Sequence, residues 1–179
     1  AMGRCLAIDG AAVIDDATVN TMEYADTMDF TADNRFLVYD ALNRISYNAS
    51  DNIVDTWSIY AIDLQNRSTV AILPPQPDLT VGNPGLSMID STLITFDAYD
   101  DANALNTVLA GNLATGELQQ IVQTPNYAVP SFNGDNSSII YSLVDNQENS
   151  GFSLYQQPLQ EDSLQPEGPA SVWLSDGYK

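Results

Sequence analysis

Apolar residues in this chain arrive in short runs, and the runs recur in one order. Phe36-Leu37-Val38-Tyr39, Leu93-Ile94-Thr95-Phe96 and Ser138-Ile139-Ile140-Tyr141 each follow a polar stretch built for a turn. Those stretches are Asp29 to Asn34, Leu86 to Ser91 and Pro130 to Asn136. After a polar gap comes a third run: Ser58 to Leu64, Thr107 to Leu113 and Ser153 to Leu159. A short fourth run closes each set: Thr69 to Leu73, Leu118 to Val122 and Ala170 to Leu174. The runs are rich in Val, Ile, Thr, Tyr and Phe and are bounded by Gly, Pro, Asn and Asp, which is the signature of strands. Asp33-Asn34, Asp90-Ser91 and Gly134-Asp135-Asn136 supply residues that tolerate the left-handed region, as a hairpin between first and second strands requires. No window shows helical periodicity with caps, so the pattern predicts little or no helix.

The sets are copies of one unit. Leu37, Ile94 and Ile139 are separated by 57 and 45 residues, and Ile59, Val108 and Leu154 by 49 and 46. A period near fifty with variable loops predicts an all-β chain of β-propeller blades, each a four-stranded antiparallel sheet. Blade 1 is expected over 24–73, blade 2 over 74–123 and blade 3 over 124–175. Residues 4–23 are expected to form outer strands of a partial blade or an N-terminal arm. Residues 1–3 read as an expression scar and 176–179 as a tail.

The units resemble the TolB-like, six-bladed propeller repeat, whose pattern is roughly Pro-x-Phe-Ser-Pro-Asp-Gly, an apolar strand, Ile-Tyr-x-x-Asp-Leu, then a Gly turn. Val129-Pro130-Ser131-Phe132-Asn133-Gly134-Asp135-Asn136 with Ile139-Ile140-Tyr141 matches it best. Ile59-Tyr60-Ala61-Ile62-Asp63-Leu64 and Asn112-Leu113-Ala114-Thr115-Gly116-Glu117 carry the later part. The likeness covers roughly 24 to 174, and none of the copies keeps the full Ser-Pro-Asp-Gly turn. It implies architecture rather than activity, and no catalytic residue of the family carries over. Three blades would leave open edges, so the resemblance implies part of a six- to eight-bladed ring. The ring would be completed by a longer chain or by a second chain.

Composition narrows the chemistry. The net charge is −19, and no basic side chain occurs from Ser68 to Tyr178, against thirteen acidic ones. Such a surface repels phosphate backbones and anionic lipid, arguing against nucleic acid and membrane insertion and for a basic partner surface. With no histidine, a Ser-His-Asp triad, a Cys-His pair and His-ligated zinc are all excluded within the chain. Cys5 is alone, so no intrachain disulfide forms.

The loops between second and third strands, with those joining one blade to the next, are expected on one acidic, amide-rich face: Ala41 to Thr56, Pro74 to Pro84, Asp97 to Asn106, Gln123 to Ala128 and Asp145 to Gly151. Asp97, Asp100, Asp101 and Asn103 form its densest set of oxygens, the ligand type that calcium takes, although the spacing is not that of an EF-hand. Trp57, Tyr99, Tyr127 and Asp145 are the expected ligand- or partner-binding residues. Tyr39, Phe96 and Tyr141 occupy equivalent strand-two positions and are expected between blades. The polar stretch from Gln157 to Pro169 is expected to be disordered or a binding appendage. The leading functional reading is a non-catalytic propeller scaffold for protein or ligand binding, periplasmic or extracellular in a bacterial envelope. The alternatives are the propeller portion of a larger, prolyl-oligopeptidase-like hydrolase, or a carbohydrate-binding propeller.

Overall fold

The computed structural model describes residues 17–47, 53–76, 78–144 and 152–175. These residues form twelve strands and no helix, in three four-stranded antiparallel sheets. Blade 1 holds β1 (Ala17–Phe30), β2 (Phe36–Tyr47), β3 (Ile53–Asp63) and β4 (Ser68–Leu73) in that order. Blade 2 holds β5 (Leu79–Leu86), β6 (Leu93–Asp100), β7 (Leu105–Asn112) and β8 (Glu117–Thr124). Blade 3 holds β9 (Tyr127–Phe132), β10 (Ser138–Val144), β11 (Phe152–Pro158) and β12 (Ser171–Ser175).

Register makes the repeat quantitative. Phe30 pairs with Leu37, Leu86 with Ile94 and Phe132 with Ile139. One step across each sheet, Asp40 pairs with Ile59, Asp97 with Val108 and Ser142 with Leu154. The apolar anchors spaced near fifty residues apart therefore occupy identical positions in successive sheets. Asn34 and Asn136 hold the first hairpin turns of blades 1 and 3 at φ of 55° and 61°, the left-handed region their short amide tolerates.

Blades stack face to face. Phe36, Val38, Ile59, Ala61, Ile72 and Leu73 of blade 1 meet Val81, Leu86, Ile94, Phe96, Ala98, Leu109 and Leu113 of blade 2 in one core. The opposite face of blade 2, through Val108, Ala110 and Ile121, joins Ala128, Phe132, Ile139, Tyr141, Leu159 and Leu164 of blade 3 in a second. Phe96 and Tyr141 thus sit between blades, facing the preceding blade in each case. Tyr39 holds the same register in blade 1, buried and stacked on Tyr60 at 5.7 Å, just as Tyr141 stacks on Tyr155 at 5.6 Å. The first strands meet as well: β5 contacts β1, β2 and β3, and β9 contacts β5, β6 and β7.

Several expectations are corrected. The first sheet begins at Ala17, so 17–23 are the start of β1 rather than strands of another blade; 4–16 lie outside the described residues. The expected loop from Ala41 to Thr56 is strand as far as Tyr47 and again from Ile53. Its polar residues mimic a loop because Asn43 and Thr56, both buried, satisfy their side chains internally: Asn43 donates to the Ala41 carbonyl and Thr56 to the Gln76 carbonyl. Likewise β6 runs through Asp100, and β5 takes in Leu79 to Pro84. The stretch from Gln157 to Pro169 is an ordered structure rather than a loose one. Leu159 and Leu164 are buried in the core between blades 2 and 3, and backbone bonds from Leu159 to Ser137 and from Glu167 to Pro158 pin its two ends.

Candidate functional site

Each of the first two blades carries an aspartate one residue beyond its strand-two aromatic, Asp40 after Tyr39 and Asp97 after Phe96. Strand alternation turns both toward the following blade, and both are buried, at 4% and 5% exposure. A buried carboxylate with no cation beside it must be met by N–H donors. The first strands provide them through bulges. β1 carries one extra residue opposite Asp40, and β5 one opposite Phe96, where the register slips between Gly82 and Gly85.

Asn83 sits in the β5 bulge at φ 50°. Its backbone N–H donates to Asp40 Oδ2 at 2.8 Å, and its Nδ2 donates to Asp97 Oδ1 at 2.8 Å and to the Tyr127 hydroxyl at 2.7 Å. One left-handed residue therefore ties all three blades together. The second oxygen of Asp40 accepts from the Thr27 N–H at 2.8 Å, so this carboxylate is forked between the bulges of two first strands. The second oxygen of Asp97 accepts from Asn106 Nδ2 at 3.2 Å, and Asn106 Oδ1, shut off from solvent, receives no donor. There is little spare room: a Cβ at Gly82 would lie 3.2 Å from Asp40 Oδ2.

Burial dominates the electrostatics. Loss of water raises the Asp97 carboxyl to about 6, against the pull of its two asparagine donors, and Asp40 adds repulsion. Burial also raises Asp40, opposed by the two backbone N–H groups, and raises the Tyr127 hydroxyl. Every carboxylate oxygen of the pair is already occupied by a donor. The arrangement suits a locked, proton-sensitive seam between blades better than an open cation site.

The expected residues are distributed unevenly over this geometry. Tyr127 and Asp97 are brought together, through Asn83. Trp57 lies apart, meeting Tyr24 edge-on at 5.9 Å. Tyr99 is half-buried on β6, paired with Thr80 and Asn106 in register. Asp145 lies outside the described residues. The expected calcium set does not converge. Asp97 and Asp100 are three apart on an unbroken strand and so point to opposite faces, with Asp97 sealed inside. Asp100 instead caps the turn after β6, accepting from the Ala102 and Asn103 backbone and from Asn103 Nδ2 at 2.7 Å, which holds its carboxyl below the usual range. Asp101 is exposed in that turn. Among the described residues no group of three or more acidic or thiol side chains is placed to hold a metal ion. Asp40, Asn83 and Asn106 are site residues that the sequence reading does not single out. Asp40 alone leaves a signal, since it aligns with Asp97 one residue after the shared apolar run.

No known family profile and no curated protein matches the chain. Solved structures do. The β-propeller domain of the trilobed protease from Pyrococcus furiosus, described as having an open velcro topology, aligns with a TM-score of 0.58 at 13% identity. That alignment covers 85% of this chain and 43% of the other. The chain consists of β-propeller blades. An acylaminoacyl peptidase aligns over 76% of these blades at TM-score 0.54 and 13% identity, covering 23% of its own length. A prolyl endopeptidase aligns over 86% at 0.53 and 13%, again covering 23% of itself. The blades thus span less than half the length of each of these structures, and at such identity the likeness speaks for the fold alone.

Proposed function

We propose that this chain is a non-catalytic propeller segment that works by binding, as part of a ring completed by further blades, in a bacterial envelope. The observation that carries this is the outer face of blade 3. Ile140, Ser142 and Leu154 stand there in the register that Val38, Asp40 and Ile59 occupy toward blade 2, yet flanking Val129 and Leu174 are 39% and 53% exposed. A face patterned for burial calls for another blade. The buried acids support a binding rather than a chemical role, because their oxygens are consumed by the seam.

A second reading has a specific observation in its favour. The solved structures named above are of peptidases, and this chain matches a minority of each. On that reading the blades are the propeller portion of a larger, prolyl-oligopeptidase-like hydrolase whose chemistry resides in another domain. The finer assignment to the TolB-like group belongs with these proposals too.

Amide hydrogen exchange on the complete natural gene product and on the 179-residue chain tests the main reading. Strands β9 to β12 should exchange faster in the shorter chain and be protected in the complete protein. Equal protection in both, in a monodisperse monomer by light scattering, would refute it. Hydrolysis of acyl- or prolyl-peptides by the complete product but not by the blades would select the second reading.

A further inference from the structure

The stack of three blades has two bare faces, and strand register shows what each is shaped to meet. In the core between blades 1 and 2, Val38, Ile59 and Leu73 on one side pack with Leu86, Ile94, Phe96 and Leu109 on the other. The side of blade 1 turned away from blade 2 repeats the second set position for position. Phe30 pairs with Leu37 as Leu86 pairs with Ile94, and Tyr39 pairs with Tyr60 as Phe96 pairs with Leu109. The outer side of blade 3 repeats the first set. Ile140 holds the register of Val38, and Leu154 pairs with Leu174 as Ile59 pairs with Leu73.

Both faces are apolar and both stand open. On blade 1, Tyr39, Ala41 and Tyr60 make a small core of their own with Ile62 and Ala71, apart from the core shared with blade 2. Met28 pairs with Tyr39, and Met22 Sδ lies 3.8 Å from the Tyr39 hydroxyl. These two methionines roof the small core while 56% and 42% exposed, and Phe30 beside them is 53% exposed. Thioether side chains are soft enough to adapt to whatever packs on them. On blade 3, Ala128, Pro130 and Phe132 of β9 are buried, while Val129 and Ser131 between them are exposed. By contrast β5, which has a blade on either side, has no exposed residue.

We infer that two copies of this chain mate head to tail, the outer face of blade 3 in each docking on the free face of blade 1 in the other, to close one ring of six blades. This rests on reading the chain as part of a ring, and it names the blades that complete it. Each copy carries both the surface to be covered and the surface that covers it, because the two bare faces are the two halves of a seam the molecule already makes. Contact between unlike faces either closes into a ring or runs on as a filament. Three blades are too few to close, whereas six fall within the range of about four to eight found in closed propellers. The net charge of −19 on each copy opposes the approach, so pairing is driven by apolar burial and tightens as salt screens the charge.

Sedimentation equilibrium on the 179-residue chain, from about 1 to about 500 µM and at low and moderate salt, tests this. The mass should rise from 19.4 kDa to twice that value and stop there, at lower protein concentration when salt is added. Below the pairing range β9 to β12 exchange freely, as the ring reading requires of the shorter chain. Met28→Asp and Leu174→Asp each put a charge into one face at a position exposed in the single copy, so circular dichroism should show both folded. Each should weaken pairing by about tenfold or more, since the carboxylate would be shut into an apolar seam. Met88→Asp, in the turn between β5 and β6 and 80% exposed, touches neither face and should pair within about twofold of the parent. A chain that stays monomeric throughout overturns the inference, as does growth past the dimer into open-ended assemblies. Weakening by only one of the two face variants would mean pairing through like faces and overturn it too, and so would weakening by neither. A persistent monomer whose β9 to β12 are protected in the complete gene product removes the second copy and leaves the ring reading standing, with further blades of that product as the occupant.

Discussion

Replacing Asp97 with asparagine isolates the energetic cost of the carboxylate at the seam. In the folded chain burial holds this group at about 6, whereas in the unfolded chain it titrates near its ordinary 3.8. The folded state therefore binds the proton more tightly, and Asp97 adds no penalty below the unfolded value. As pH rises from about 4 to about 6 the unfolded chain ionises first, and stability falls by up to about 3 kcal/mol before levelling off. In Asp97→Asn the new amide would keep an oxygen for Asn83 Nδ2, and a turn of the Asn106 amide would bring its unpaired Oδ1 to the new N–H donor. At about pH 7.5 the variant is therefore expected to be more stable than the parent by about 1–3 kcal/mol, and at about pH 4.5 the difference should shrink to under about 1. Urea unfolding followed by circular dichroism at the two pH values, at fixed and moderate ionic strength, gives both numbers. Acidification also relieves the general repulsion of a chain with net charge −19, but that affects parent and variant alike and cancels in the difference. A D97N chain that is less stable than the parent at neutral pH, or a difference that does not change with pH, would refute the account of the seam.

Further expectations follow from neighbouring positions. Asn83→Ala should cost about 2–4 kcal/mol in urea unfolding, because it strains the left-handed backbone and unties three blades, while Asn83→Gly should recover about 1 kcal/mol of that loss. Gly85→Ala places a Cβ 2.8 Å from the Pro130 carbonyl, backbone that cannot step aside, and should cost about 1–3 kcal/mol, whereas Gly134→Ala meets nothing and should stay within about 0.5. Thermal melts of the two glycine variants side by side check the contrast. Phe96→Ala empties the core between blades 1 and 2 and should cost about 3–5 kcal/mol, enough to lose near-ultraviolet dichroism at room temperature.

Much of the fold is legible because strands leave a periodic trace. Leu37, Ile94 and Ile139 recur at blade spacing, and residues such as Asn34 and Asn136 mark turns that only a few side chains accept. The candidate site is half legible. Asp97 stands out as part of an acidic stretch, but a charged residue in mid-strand contradicts the usual alternation, so it reads as loop. Burial of a carboxylate depends on donors brought by other blades, and no local pattern announces Asn83 as one of them. The order of the long connection between β11 and β12 is hidden for a related reason. Between Gln157 and Pro169 the composition is polar, and the two leucines that fasten it, Leu159 and Leu164, are too few to outweigh it by eye.

Asp40 and Asp97 have a counterpart in the third blade, and it is Ser142. Nor does β9 carry the bulge of β1 and β5: its pairing with β10 runs without a slip. The blades are accordingly not interchangeable bricks. The seam between blades 1 and 2 closes where the earlier blade offers an acceptor and the later one bends its first strand to donate, whereas blade 3 meets blade 2 through the Tyr127 hydroxyl on an unbulged strand, so each junction carries its own address. A chimaera that repeats blade 2 after itself would set a second Asn83 amide against Asp97, which is already engaged. One that repeats blade 3 would offer a hydroxyl where the next blade holds out no bent strand. Order along the chain is written into the joints as much as into the connecting loops.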